Sequence, residues 1–306
     1  MDTTPVRRDL PAGRFAPSPS GDLHVGNLRT ALLAWLFARH TDRRFLLRME
    51  DLDRTAVGAD HRQIDDLHAV GIDWDPPVTY QTARLAVYDG VVERLTAQDR
   101  TFPCFCTRRE ILDAPSAPHA PPGAYPGTCA NLTAAQREER LASGRPPAIR
   151  IRSDVTEFSV VDLLHGEYTG AVDDFVIRRN DGTPAYNLAV VVDDGAFGID
   201  QVVRGDDLLS SAPRQAYLAT LLDYAPPTYA HVPMVVNADG VRLSKRDGAV
   251  TLSDLAAACV SVVDVCSMIY ASLGLGEAGE HITSAEALRR FDPRRLPTRP
   301  WVFERQ

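Results

Sequence analysis

The segment between residues 13 and 49 constrains the fold by the order of its periods. Residues 13–16 read as a short strand, and Pro17-Ser18-Pro19-Ser20-Gly21 breaks it, because proline has no amide to donate to a strand ladder. From 27 to 40 the apolar residues Leu28, Ala31, Leu32, Trp35 and Leu36 fall three and four apart, the spacing of one helix face. Residues 45–49 form a second strand that runs into the acidic turn Glu50-Asp51-Leu52-Asp53. Helical patterns near 59–71 and 83–99 continue the alternation. Strand–helix–strand order of this kind predicts an α/β fold around a parallel sheet.

Residues 101–152 differ. They hold Cys104, Cys106 and Cys129, are rich in proline and show little periodicity, so we expect an insertion with its own small fold. Sheet character returns at 175–179, 186–192 and 201–204, and Asn180-Asp181-Gly182 reads as a hairpin between the first two. A helix is expected over 208–222, a strand over 231–236 and a turn at Asn237-Ala238-Asp239-Gly240. Beyond Ser253 the pattern is helical to about Tyr270; the last stretch, with Pro293, Pro297 and Pro300, reads as irregular. The expected division is therefore 1–100 and 153–250 as two halves of one α/β domain, 101–152 as the insertion, and 251–306 as a helical C-terminal segment.

Composition narrows the setting. No apolar run approaches the ~20 residues that cross a bilayer, and the first residues lack the apolar stretch of a signal peptide. Five cysteines is an odd number, with three close together, which argues for a reducing compartment and a metal site rather than a disulfide framework. A cytoplasmic protein with no membrane partner is expected. Cys259 and Cys266 lie on an apolar helical pattern and read as core. The net charge of −8 counts against nucleic acid as a partner, though a local arginine patch acts regardless of the total.

Two features carry chemistry. The first runs from Arg14 to Asn27. A strand that enters a Gly/Pro turn and then a helix start presents backbone N–H groups and a positive helix end to an anion. His24 either faces that anion or caps the helix, and Gly26 lets a nucleotide approach the backbone. The second is Lys245. Lysine and arginine together number 33, yet Lys245 is the only lysine. A compact, mobile ammonium is kept where a planar guanidinium fork would otherwise serve, as a site gripping a phosphate of changing charge would require.

The stretch Pro17 to Asn27 resembles the "HIGH" region of class I aminoacyl-tRNA synthetases of the glutamyl group, and Arg242-Leu243-Ser244-Lys245-Arg246 resembles their "KMSKS" loop, about 220 residues on. Arg29-Thr30-Ala31-Leu32, the segment from Tyr186 to Asp194, and Val203-Arg204-Gly205-Asp206-Asp207 also match that group. Asn27 and Arg242 depart from the motif names. The resemblance implies a Rossmann-type catalytic domain that binds ATP with Mg2+ through His24, Gly26, Asn27, Ser244 and Lys245, with His24 and Lys245 catalytic. It also implies an L-glutamate site made by Arg14, Ser18, Glu50, Tyr186 and Arg204. Glu50 would accept the α-ammonium, and the two arginines would face carboxylates, which suit bidentate forks.

Three thiolates and a fourth ligand would complete a tetrahedral Zn2+. His119 is one candidate. The short synthetase-like proteins that the chain resembles use Cys, Cys, Tyr and Cys, which points to Cys104, Cys106, Tyr125 and Cys129. Only about 60 residues follow Lys245, and none resembles an anticodon-reading domain. The chain therefore resembles the glutamyl-queuosine tRNA(Asp) synthetases. That family activates glutamate without tRNA and transfers it to queuosine at the wobble position of tRNA(Asp). A monomer is expected. Arg108, Arg109, Arg178, Arg179 and Arg214 are candidate RNA contacts. A truncated glutamyl-tRNA synthetase charging tRNA(Glu), and a non-catalytic glutamate- or nucleotide-binding relic, are the rival readings.

Overall fold

A computed structural model describes residues 10–113, 125–243 and 250–304. From the start of these, β1 (Ala12–Phe15) leads through α1 (Val25–His40) to β2 (Arg44–Met49), and α2 (Ala59–Ala69), β3 (Thr79–Tyr80) and α3 (Leu85–Ala97) follow. Next come β4 (Thr101–Cys104), α4 (Arg108–Asp113), α5 (Ala134–Ala142), β5 (Ala148–Ile151), β6 (Glu157–Asp162), β7 (Gly166–Ala171) and β8 (Val176–Arg178). Then α6 (Tyr186–Phe197), β9 (Ile199–Gly205), α7 (Ala212–Leu221), β10 (Thr228–Val232) and β11 (Val235–Val236) close the described central part. Beyond residue 249 lie α8 (Leu252–Ala257), α9 (Val262–Ser272), α10 (Ser284–Arg290) and β12 (Trp301–Val302).

Seven strands form the main sheet in the order β3-β2-β1-β9-β10-β6-β7. All neighbours run parallel except the β6–β7 hairpin. Helices cover both faces, so the central strands bury side chains on both sides and read as apolar runs rather than alternations. On one face α1 packs with α2, α9 and α10, its Leu28, Leu32, Leu36 and Phe37 wholly or nearly wholly buried. On the other, α6 and α7 pack with α3 around Leu188, Val192 and Leu218. The chain leaves β1 for α1 on one side and β9 for α7 on the other. Adjacent strands whose crossovers diverge open a crevice beyond their carboxyl ends, the usual ligand position in such sheets.

The structure corrects four expectations. Tyr186 to Val192 is not a strand but the start of α6. Its Val190-Val191-Val192 run is buried throughout, and a short apolar run of β-branched residues has no period to tell a buried helix from a strand. Asn180-Asp181-Gly182 does reverse the chain, with Arg178 bridging antiparallel to Pro184, but the return leg is this single bridge before the helix. The span 231–236 is two strands in different sheets. The last stretch is not irregular: it holds α10, and β12 pairs in parallel with β11. Cys259 is exposed, in left-handed backbone (φ 61°) just past the end of α8, whereas Cys266 is partly buried against the core.

A smaller antiparallel sheet, β4-β5-β8, lies beside the main one. β8 belongs to it although it falls beyond 152, since Ile149 pairs with Arg178.

Candidate active site and metal centre

The crevice is a cleft of about 560 Å3 at the carboxyl ends of β1, β2, β9 and β10. Its wall begins with the turn after β1. Gln63, from α2, is buried and donates to the carbonyls of Ser18 (3.1 Å) and Gly21 (2.6 Å), which pins the turn. His24 caps α1: its Nδ1 accepts from the Asn27 amide at 3.2 Å, and Asn27 Oδ1 accepts from the His24 amide at 3.2 Å. This reciprocal cap satisfies two donors of the helix start and fixes the imidazole at the cleft edge. Gly26 serves that ring directly. A Cβ there would sit 3.0 Å from both Cε1 and Nδ1 of His24 and 3.4 Å from Val235. Gly205 has a similar reason: its Cβ would meet Asp207 Oδ1 and Met234 Sδ at 2.6 Å.

Ser18, His24, Gly26, Asn27, Glu50, Tyr186 and Arg204 all line the cleft, as does Arg242, which pairs with Asp207 at 2.7 Å. The sheet topology thus brings most of the sequence-derived candidates to one place. Arg14 lies beneath, 5% exposed and outside the lining, 3.4 Å from Asp194 and 3.5 Å from the Val203 carbonyl. Ser244, Lys245 and His119 lie outside the described residues.

Sequence reasoning missed the centre of the floor. Arg48, on β2, is 2% exposed and reaches Asp194 at 2.6 Å, Glu50 at 3.1 Å and Asp193 at 3.7 Å. Asp193 also takes hydrogen bonds from Gln81 (3.1 Å), Arg84 (2.6 Å) and the Tyr88 hydroxyl (2.8 Å). A signal was available: an arginine inside the apolar strand Phe45 to Met49 and an Asp pair inside an apolar helix must each find a partner, because unpaired buried charge is costly. Burial opposes ionisation of Asp194, but the charges of Arg14 and Arg48 outweigh it and hold its carboxyl below the ordinary range. At Glu50 burial wins, and its carboxyl titrates higher than usual despite Arg48 and Arg14.

Arg204 is different. It is 5% exposed, and its fork meets only neutral acceptors: His231 Nε2 at 3.0 Å, Gln215 Oε1 at 2.7 Å and the Leu208 carbonyl at 3.4 Å. Among the described residues no carboxylate lies within ion-pair distance of it.

A second polar centre sits at the end of β4. The sulfurs of Cys104, Cys106 and Cys129 lie within 4.8 Å of one another. The Tyr125 hydroxyl is 3.6 Å from Cys104 Sγ, the same distance that separates the sulfurs of Cys106 and Cys129. A tetrahedral ion with bonds of about 2.3 Å to sulfur and about 2.0 Å to oxygen spaces its ligands roughly 3.5–3.8 Å apart, so the donor set fits such an ion. The Arg150 guanidinium lies 3.8 Å over the Tyr125 ring. Burial pushes the Tyr125 phenol up, so it ligates as phenolate only beside a strong cation.

A further cavity of about 790 Å3 lies beside this centre, walled by Cys104 and Cys106, by Ala148 and Arg150 of β5, by Val176 of β8 and by the start of α6. Arg108 and Arg179 line it, and Tyr186 lines both it and the cleft. Arg109, Arg178 and Arg214 do not line it, and Arg214 is paired with Asp173 at 2.6 Å. Among the described residues no helix is long and apolar enough to cross a membrane.

Comparison with known proteins agrees with this geometry. Residues 12–306 match the family model described as tRNA synthetases class I (E and Q), catalytic domain. The glutamyl-Q tRNA(Asp) synthetase of Nocardia farcinica is 60% identical over 95% of this chain and 93% of its own. That of Cutibacterium acnes is 52% identical over 93% and 85%. The crystal structure of glutamate-tRNA synthetase from Elizabethkingia anophelis superposes with a TM-score of 0.80 at 25% identity, covering 96% of this chain and 68% of that one.

Proposed function

We propose a function from one premise: the chain belongs to the class I glutamyl- and glutaminyl-tRNA synthetase family and, within it, to the glutamyl-Q tRNA(Asp) synthetases. It activates L-glutamate with ATP, without tRNA, and transfers the glutamyl group to queuosine at the wobble position of tRNA(Asp).

The observation that carries the amino-acid half is the charge imbalance around the cleft. Arg14, Arg48 and Arg84 stand against Asp193, Asp194 and Glu50 in a mutually paired group. Arg204 is left over. Glutamate has one ammonium and two carboxylates, a net charge of −1, which the surplus cation matches. Glu50 receives the ammonium, and Arg204 receives the side-chain carboxylate, because the α-carboxylate must stay free to attack. Glutamine would leave Arg204 unpaired, and a site built for a charged partner rejects an analogue that lacks it. Ser18 and Tyr186 complete the pocket wall.

In activation an α-carboxylate oxygen bonds to the α-phosphorus of ATP, the bond from that phosphorus to the bridging oxygen breaks, and pyrophosphate leaves. The protein contributes position and charge rather than covalent chemistry. The start of α1, with His24, Gly26 and Asn27, offers a positive end to the nucleotide, which carries Mg2+. Lys245, with Ser244, meets the charge growing on pyrophosphate. In transfer, a queuosine hydroxyl attacks the acyl carbon and AMP leaves. The cavity beside Tyr186, with Arg108 and Arg179 on its wall, supports entry of the acceptor nucleoside from that side. Cys104, Cys106, Tyr125 and Cys129 would hold one Zn2+, whose chemistry is to tie the loop after β4 to residues 125–129. The protein works as a cytoplasmic monomer.

The deciding experiment incubates the protein with labelled glutamate and ATP, then adds tRNA(Asp) with or without queuosine. We expect glutamate-dependent ATP–pyrophosphate exchange without RNA, and label transfer only to the queuosine form. Transfer to the 3′ end of tRNA(Glu) would overturn the reading. Lys245→Arg is expected to slow exchange by about 10²-fold or more, the scale of losing one preorganised transition-state donor.

A further inference from the structure

What stands behind Arg204 supplies neutral acceptors in place of a carboxylate. Asp162, at the end of β6, is 2% exposed, and His231, on β10, is fully buried. Asp162 Oδ1 accepts from the amides of Leu164 at 2.9 Å and His165 at 3.0 Å. Its Oδ2 takes the amide of His231 at 3.0 Å and faces His231 Nδ1 at 2.6 Å. On the far side of the ring, Nε2 is 3.0 Å from Arg204 Nε. A guanidinium Nε only donates, so Nε2 must offer its lone pair and the ring proton must sit on Nδ1, toward Asp162. Both neighbours demand the same neutral tautomer, and burial also holds the ring's pKa below its ordinary value. Three other titratable groups share this corner: His165, whose Nε2 is 3.0 Å from the His231 carbonyl, Tyr229, whose ring stacks on His231 and lies under Arg204, and Asp206, which feels a charge on either histidine.

Gln215 completes the arrangement from α7. Its Nε2 donates to Asn187 Oδ1 at 3.0 Å, which turns Oε1 toward Arg204. Two buried carboxylates near this corner are engaged elsewhere: Asp194 by Arg48 and Arg14, and Asp162 by His231, one imidazole away from Arg204.

We propose that Asp162, His231 and Gln215 are positioning residues that orient the Arg204 fork through neutral acceptors only, and so set the preference for an anionic over a neutral amino-acid side chain. This rests on the amino-acid site proposed above. Two substitutions address it. In Asp162→Asn, the carbonyl oxygen must keep the Leu164 and His165 amides, so the NH2 group faces His231. That drives the ring proton to Nε2, where it opposes the Arg204 N–H. Gln215→Glu leaves the Asp162–His231 pair untouched and sets a carboxylate against Arg204; the Asn187 amide can turn to donate to it.

The test measures ATP–pyrophosphate exchange with glutamate and with glutamine for the unaltered protein and both variants. We expect the KM for glutamate to rise about tenfold or more in each, with the KM for ATP within about twofold, and the glutamate-over-glutamine ratio of kcat/KM to fall about tenfold or more in Gln215→Glu. If Asp162→Asn fails to fold, Gln215→Glu decides alone. An unchanged ratio in Gln215→Glu, with the unaltered protein active on glutamate, overturns this inference and spares the site. Absence of glutamate-dependent exchange in the unaltered protein overturns both.

Discussion

Arg48 and Arg204 are both buried arginines on neighbouring parts of one sheet, and they are opposites. Arg48 has two carboxylates within salt-bridge contact at 2.6 and 3.1 Å and a third at 3.7 Å. Arg204 has an imidazole, a carboxamide and a backbone carbonyl. The first is a scaffold charge, neutralised from within. The second is held in shape by hydrogen bonds to neutral acceptors, the arrangement that the proposed glutamate site requires of it. Buried charge alone does not separate structure from function here; the charge of its partners does.

That contrast can be broken experimentally. The largest effect should come from Arg48→Met, which leaves Glu50 without its salt bridge and Asp194 with Arg14 alone. Breaking a buried pair by removing one partner costs about 3–5 kcal/mol, read as a loss of denaturation midpoint. Arg204→Met strands only neutral acceptors, so about 1–3 kcal/mol of stability is at stake, while glutamate-dependent exchange should drop about 10³-fold or more. Equal stability losses in the two variants would dissolve the distinction. At the sulfur centre, Tyr125→Phe should weaken Zn2+ binding at least about tenfold, measured by competition with a chelator, with exchange largely retained.

The smallest effect concerns Glu50. Its raised pKa means that the carboxylate protonates at a higher pH than an ordinary one. Since the ammonium needs the ionised form, kcat/KM for glutamate should fall as pH is lowered through that value, and Glu50→Gln should abolish that limb. The stability contribution runs the other way. The unfolded chain ionises Glu50 more readily, so the folded state loses stability as pH rises from the unfolded to the folded pKa.

Much of the site was legible because its residues cluster in sequence around two loops. The turn after β1, the helix that follows and the cysteine spacing all announce themselves within a few residues. The rest depends on neighbours made by crossovers. Asp162 and His231 are 69 positions apart, and β6 and β10 meet only because α6, β9 and α7 intervene. Nothing local marks either residue as a partner. Arg48 was overlooked for the opposite reason: its strand reads so clearly as core that a single charge within it passes as an exception. The 186–192 error has the same root, since burial on all sides erases the period that would reveal a helix.

Tyr186 forms part of two chambers at once, the cleft and the cavity beside the sulfur centre. A guest in the outer chamber would meet the same ring that walls the inner one. By reciprocity, whatever an acceptor does to the hold on the amino acid, the amino acid must return in equal measure to the acceptor. In the site proposed above, one aromatic partition thus ties the two affinities to a single coupling energy that is the same whichever substrate arrives first.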